Sequence, residues 1–320
     1  MSLFFPVHRP STGLSVTERG LALVELQRGW QKPGIVRVTE RSLPVGMLAL
    51  SASEPNVKDR AALVKELRAL VASTSERTIA LCLSDRICHL AVFSFETLPP
   101  RERDRGQIIR WRFQHEEHVP VGDARILHRA FPVQGAGAKA YVLAMAIKRS
   151  VLDQYEQVCQ EAGLLPISIS CAALWLFDFY RPMLTQENEL FFVHQASDSM
   201  TCLAIKQGLP VFCRMKAQRA GQADMMGELQ STLQFYEDLH PTGVTGSVAY
   251  SSPIYMVGEG CSRKWPAFNG TVEVNDISDR YKVYFSNHSI LPDWKTLVST
   301  NHGTISSEEG LYALACAGGR

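Results

Sequence analysis

"GLSVTERGLALVEL", Gly13 to Leu26, has the outline of a strand, a tight turn and a second strand. Alternating apolar arms on either side of Thr17-Glu18-Arg19-Gly20 fit a β-hairpin. A hairpin of this kind near an N-terminus often cradles a phosphate, and it then carries an Asp and a Gly-rich turn. Glycine lets backbone N–H groups close on an anion with no Cβ in the way, and a run of such N–H groups makes the anion nest. Here Ser15 stands in the first arm where the Asp would be, and Glu18 and Arg19 sit in the turn. Whether this hairpin is a phosphate site or plain structure decides how the rest is read.

Outward from it, Gly34–Pro44 reads as a third strand. Asn56–Ser73 reads as an amphipathic helix with a stripe of Leu63, Leu67, Leu70 and Val71, and Asn56 as its N-cap. Arg77–Phe95 gives two strands around a turn at Ser84-Asp85. Pro99–Val119 is a charged helix with a stripe of Ile108, Trp111 and His115. Ala124–Val133 and Lys139–Ile147 pair as strands around "QGAGA". Ser150–Leu164 is a helix with Ser150 as N-cap and Gly163 past its end. Ser170–Leu184 is apolar on most sides, the mark of a helix buried between layers or domains.

"TQENE", Thr185–Glu189, is the most linker-like segment and the expected boundary. After it the pattern restarts. Two runs, "LFFVHQ" and "TCLAIKQGLPVFCRMK", give three strands, the last two joined at Gln207-Gly208. Gln222–His240 is a long helix, Ser247–Gly260 a strand running into a loop with two glycines, and "TVEVNDI" a further strand. The chain closes on a helix with a capping-box start at Ser306 and Glu309. Both halves thus open strand, turn, strand, strand, then helix. This is a mixed α/β chain of two lobes with a cleft between them.

The totals narrow the function. With 33 basic and 32 acidic residues among 320, no basic footprint for nucleic acid is present. The eight cysteines form no CxxC pair, which leaves no zinc ribbon or thioredoxin motif and suits a reducing cytosol. No apolar run reaches the ~18–20 residues of a membrane helix. A soluble chain is expected, one that meets a membrane only as a peripheral partner.

At this point the order of elements resembles the actin-like ATPase superfold. More closely it resembles the PilM family of type IV pilus assembly proteins, related to the cytoplasmic half of GspL. Gly13–Leu26 stands where that family has a hairpin of the form GIDIGSxSVKxxEL. "LPPRERDRGQIIRWRFQHEEHVPV" is similar to its LPxxEL…IRWEAExxIPF, and "YVLAMAIKRSVLDQYEQVCQEAGLLPISIS" to its VLLVAAxxxxVxxYxxxxxxAGLxPxxID. "ELQSTLQFY" is similar to EIxRSLQFY and "SPIYMVGEG" to IxLxGGGA. The resemblance implies a two-lobed, duplicated ribonuclease H-like fold. The first lobe is 1–188, with an inserted subdomain at about 95–148, and the second is 189–320.

The departures fall on the nucleotide motifs. Ser15 replaces the first Asp, and Thr17 opens the turn. In the second hairpin, where VDIGxxxT is the pattern, His194 takes the Asp position and Ala196 the Gly position, followed by Ser197. Gly258 and Gly260 keep part of the adenosine-side loop. Mg²⁺ needs hard oxygen ligands, phosphoryl transfer works by positioning and charge neutralisation, and Glu18 would face a triphosphate with like charge. The resemblance therefore implies a vestigial cleft at Ser15, Thr17, His194, Ser197, Gly258 and Gly260, with no catalytic residue, no metal and no required cofactor. The alternative is an active ATPase, or ATP retained as a structural or switching ligand. The resemblance also implies a scaffold on the cytoplasmic side of the inner membrane. It would bind the N-terminal tail of PilN, a single-span protein, in a groove between the first lobe and its insert. Ile108, Trp111, Phe113 and His115 are the candidate residues. Other platform proteins and self-association complete the expected contacts.

Other motifs carry bland readings. The histidines of "HEEH", His115 and His118, are spaced i,i+3 with no third ligand, which makes a solvated helix end rather than a metal site. "GAGAK" lacks the phosphate-loop spacing and reads as a hairpin loop. His194, in an apolar strand, reads as a core-edge histidine, and Asp198 as a turn residue. Met225 and Met226 read as core filler, and Glu228-Leu229, Leu233 and Tyr236 as lobe packing.

Overall fold

The computed structural model describes residues 10–27, 34–131, 139–184, 188–217, 225–240, 252–258, 281–285, 305 and 307–318. The chain opens with β1 (Thr12–Val16), β2 (Gly20–Gln27), β3 (Gly34–Ser42), α1 (Arg60–Leu70) and β4 (Thr78–Leu83). Then come β5 (His89–Phe95), α2 (Glu102–His115), β6 (Ala124–Phe131), β7 (Ala140–Lys148), α3 (Arg149–Glu161), β8 (Leu165–Cys171) and α4 (Ala172–Leu184). The second half holds β9 (Glu189–Gln195), β10 (Ser199–Lys206), β11 (Leu209–Ala217), α5 (Met225–Leu239), β12 (Ser252–Gly258), β13 (Tyr281–Phe285) and a closing helix, α6 (Glu308–Ala317).

Two five-stranded sheets repeat one order. The first runs β3-β2-β1-β4-β8 and the second β11-β10-β9-β12-β13. In each, an antiparallel meander supplies three strands and two parallel strands extend it beyond the first. The duplication suggested by the sequence is therefore a duplication of topology. The hairpin at Gln207-Gly208 turns through two residues with positive φ, 51° and 73°, the backbone a tight two-residue hairpin needs. A third, antiparallel sheet, β5-β7-β6, carries α2 on one face. It takes in β5, so the small unit begins at His89 rather than at Phe95.

Each sheet has its own core. Leu63, Leu67 and Leu70 of α1 join Val151, Tyr155 and Val158 of α3 under the first sheet. Leu229, Leu233 and Tyr236 of α5 pack under the second, which is the lobe packing expected of them. A larger cluster joins the halves through α4 and α6, with Trp175, Phe177 and Tyr180 beside Phe192 and Leu314. The apolar Ser170–Leu184 segment is thus the end of β8 followed by a buried crossing helix, α4, with Pro182 inside its last turn. α6 comes from the second half yet lies on β1 and β2 of the first sheet. It gets close because its face is small: Ala313, Cys316 and Ala317 meet Gly13, where a Cβ would stand 1.9 Å from the Ala313 carbonyl oxygen.

Several expected caps fall elsewhere. Asp59, not Asn56, caps α1, its carboxylate accepting from the Ala62 N–H at 2.9 Å. Asn56 is buried and holds the Ser51 N–H and the Tyr155 hydroxyl. α3 starts at Arg149 with no side-chain cap, so Ser150 lies inside it, while Gly163 follows its end at φ 82° as expected. Ser307, rather than Ser306, caps α6. The expected strand "TVEVNDI", the loop "QGAGA", Ser306 and the side chains of Met225 and Met226 lie outside the described residues.

Candidate functional site

Both hairpins are bonded by groups of the chain itself. In the first, Ser15 is fully buried on β1 and its hydroxyl donates to the Glu309 carbonyl at 2.7 Å. The Thr17 hydroxyl lies 2.9 Å from Glu309 Oε1 and accepts from the Gly20 N–H at 3.1 Å and the Arg19 N–H at 3.3 Å. A turn that would offer N–H groups to a phosphate thus gives them to Thr17, and α6 seats its first turn over the hairpin. Glu309 was expected to close a capping box with Ser306. Its side chain reaches across to Thr17 instead, because the helix end is docked rather than solvated.

The second turn is held from the other lobe. His194, on β9, is 1% exposed. Its Nδ1 donates to Asp85 Oδ2 at 2.7 Å, and its Nε2 lies 3.0 Å from the Tyr312 hydroxyl of α6. Asp85 follows β4 in the first sheet and is also 1% exposed. It accepts from the Thr201 hydroxyl at 2.7 Å and from the Ala173 N–H, in the first turn of α4, at 2.9 Å. Thr201 pairs with His194 across β9 and β10, so one cross-strand pair presents both groups to Asp85. Tyr312 hydrogen-bonds on to Glu308 at 3.3 Å. Nearer the surface, Arg86 pairs with Asp198 at 2.7 Å. Two sheets and both crossing helices are therefore tied at one buried point.

Burial pushes the Asp85 carboxyl up, but attraction from His194 and hydrogen bonds from His194, Ala173 and Thr201 outweigh it and hold the group below its ordinary value. Burial, with Glu308 beside it, holds the Tyr312 phenol well above its own. These groups are spent on one another: an imidazole bound at both nitrogens and a carboxylate with three donors have little left for a ligand.

The remaining expected residues divide. Ser197 is exposed at the tip of the β9–β10 turn. Gly258 ends β12 at φ 109°, where a Cβ would stand 2.1 Å from the Gln195 carbonyl oxygen, so its glycine is required by strand packing. Gly260 lies outside the described residues. Asp198, a turn residue in the sequence, is half of the Arg86 ion pair. On α2, Ile108, Trp111 and His115 form an outward stripe: Trp111 is 55% exposed and stacks on His115 at 4.7 Å. Phe113 is corrected. It is fully buried against Phe93, ring to ring at 5.2 Å, because the side of α2 facing the sheet is Ile109 and Phe113. No cluster of three or more potential metal ligands exists among the described residues, His115 and His118 included.

Sequence reasoning missed Asp85 and Tyr312. Asp85 looked like one half of a turn. The signal was His194: a histidine in the middle of "LFFVHQ" must find a polar partner once the strand is buried.

No protein-family model matches the sequence, and none of the curated proteins is a significant match to it. Solved structures do match. A chain of a PilM–PilN type IV pilus biogenesis complex is similar over 80% of this chain and 83% of its own, at 18% identity and a TM-score of 0.64. A Bacteroides thetaiotaomicron protein with an actin-like ATPase fold and unknown function is similar over 91% and 95%, at 10% identity and a TM-score of 0.50. Among the described residues no helix is long and apolar enough to cross a membrane. With the sheet order repeated in both halves and these likenesses in hand, the chain has the two-lobed actin-like fold, built as in the solved PilM–PilN complex chain it is similar to.

Proposed function

We propose that this chain is a non-enzymatic component of the assembly platform of a type IV pilus or a related type II secretion-like machine. It works in the cytoplasm, peripheral to the bacterial inner membrane, and binds the N-terminal tail of a PilN-like single-span membrane protein. The observation that carries the non-enzymatic part is the buried Asp85–His194–Tyr312 chain between the lobes. A magnesium–nucleotide needs carboxylate oxygens and bare N–H groups at the two turns. The first turn offers Ser15 and Thr17, already bonded to Glu309. The second offers His194, bound at both nitrogens. These residues do not fit the ligand, and no hydrolytic step is built on them. Likeness to a chain of the PilM–PilN complex supports the partner class. The outward stripe of Ile108, Trp111 and His115 supports a peptide-binding role for α2, since an exposed tryptophan stacked on a neighbour is a pre-ordered anchor.

Two measurements test this. Thermal unfolding with and without millimolar Mg-ATP is expected to show no shift. A ligand of the native state alone would add roughly 2.7 kcal/mol at a hundredfold excess over its Kd, and such a shift, or Mg-dependent turnover, replaces this reading with an ATP-binding switch or an ATPase. A labelled peptide copying the cytoplasmic tail of the neighbouring membrane protein is expected to bind, with Trp111→Ala costing about tenfold or more in affinity. Failure of that tail to bind removes the partner assignment.

A further inference from the structure

The third sheet and the second sheet meet edge to edge. β5 is the last strand of one and β11 the last of the other, and they run close together. Among the described residues no backbone hydrogen bond joins them. Above the seam lies a groove of ≈ 650 Å³, walled by the C-terminal ends of α2 and α5. Its lining is basic: Arg112, Lys139, Arg214 and Lys216 against Glu116 and Glu117. Arg112 and Glu116 neutralise each other at 2.7 Å, which leaves three cations facing one carboxylate. Burial and the neighbouring Glu116 raise the pKa of that one, Glu117. The whole chain is nearly neutral, so this is a local concentration of positive charge.

The groove is also pre-ordered. The Arg214 guanidinium lies over the Phe235 ring at 4.6 Å. Stacking fixes the plane of the fork; Nη1 donates to the Ser231 carbonyl at 3.4 Å, and the Nε/Nη2 edge is the one offered to a carboxylate. Lys216 follows two residues along β11, on the same face as Phe212 and Arg214. Phe235, 45% exposed, and Leu239, 53% exposed, add an apolar wall beside these charges.

We propose that this groove docks an acidic, extended segment of a partner protein, with carboxylates at alternate positions over Arg214 and Lys216 and an apolar residue against Phe235 and Leu239. In an extended peptide alternate side chains repeat at about 6.6 Å, the spacing of alternate residues on β11 itself. None of Ile108, Trp111 and His115 lines this groove, and the proposal is independent of the tail reading above.

The test pans short random peptides, displayed on phage, against the full chain at low salt. The expected pool is rich in Asp and Glu. A fluorescein-labelled peptide made from it binds about tenfold more weakly at high salt and to Arg214→Glu/Lys216→Glu. If charge reversal unfolds the chain, Arg214→Gln/Lys216→Gln at an unchanged melting temperature weakens binding in the same direction. Ile108→Ser/Trp111→Ala leaves it unchanged, so this result and the tail experiment fail separately. A pool without acidic bias, or an acidic peptide indifferent to both double variants, overturns the proposal. A labelled oligonucleotide that binds more tightly through the same two residues overturns it in favour of nucleic acid.

Discussion

The β1–β2 and β9–β10 hairpins hold the same place in two sheets of the same order, and each lacks the carboxylate that a phosphate hairpin of this fold carries. They are closed by different physics. The first hairpin is capped by one helix end, through the hydroxyls of buried Ser15 and half-buried Thr17. The second is held through an aspartate and a histidine, each 1% exposed, reaching from opposite lobes. Hydroxyl bonds of the first kind are individually worth about 1 kcal/mol. A buried pair adds little net stability over an apolar replacement, but removing one partner strands a desolvated charge. Two hairpins in equivalent places are thus one tolerant and one brittle.

The largest expected effect breaks the brittle side. His194→Ala leaves Asp85 buried with its strongest partner gone and is expected to cost about 3–5 kcal/mol in urea unfolding. Asp85→Asn with His194→Ala should cost less than the single change, because the amide no longer brings a charge into the core. A double variant no better than the single one would mean that packing, not charge, ties the lobes.

Acid probes the same carboxyl. Against burial, attraction from His194 and hydrogen bonds from His194, Ala173 and Thr201 hold its folded-state pKa below its ordinary value. The stability it contributes is therefore present above the unfolded value and is lost as pH falls through the lowered folded one. Urea midpoints of the native chain should drop as pH falls below about 4, and Asp85→Asn should flatten that drop. An unaltered acid limb would assign it to other carboxylates.

Gly13→Ala attacks the tolerant side where it is not tolerant. The added Cβ would meet the Ala313 carbonyl, a backbone atom that cannot swing aside, so α6 must shift from β1. A cost of about 1–3 kcal/mol is expected, with earlier proteolysis at the C-terminus than in the native chain.

The fold was legible because its signal is periodic. Apolar alternation, the restart after residue 188 and the uniformly apolar Ser170–Leu184 run all reach the structure as strands, a second sheet of the same order and a buried crossing helix. Caps were less legible. Asn56 and Ser306 had the right chemistry, but Asp59 and Ser307 took the positions, since a cap depends on where one residue's backbone turns. The latch was legible by half. His194 in an apolar strand announced a need for a partner, but Asp85 is 109 positions away. No local pattern links them, because sheet order and two crossing helices bring them together. Phe113 was misread for a simpler reason. On a helix with only a thin apolar stripe, Ile108 and Ile109 compete for the inward face, and the sheet, not the helix, chooses Ile109 and Phe113.

The two smallest effects sharpen the comparison by pairing one contact from each hairpin. Glu309→Ala removes the carboxylate over Thr17 and is expected to cost about 1 kcal/mol, with Glu309→Gln recovering most of it, because an amide oxygen can still accept from the hydroxyl. Arg86→Ala removes the outer ion pair of the second hairpin. Its partners' side chains are 30% and 19% exposed, so solvent screens the 2.7 Å contact and the loss should stay under about 1 kcal/mol. High salt should shrink the Arg86 effect and leave that of His194→Ala nearly intact, since screening acts on exposed pairs more than on buried ones. If salt erased both, the buried pair would be in contact with solvent and the second hairpin would be no more brittle than the first.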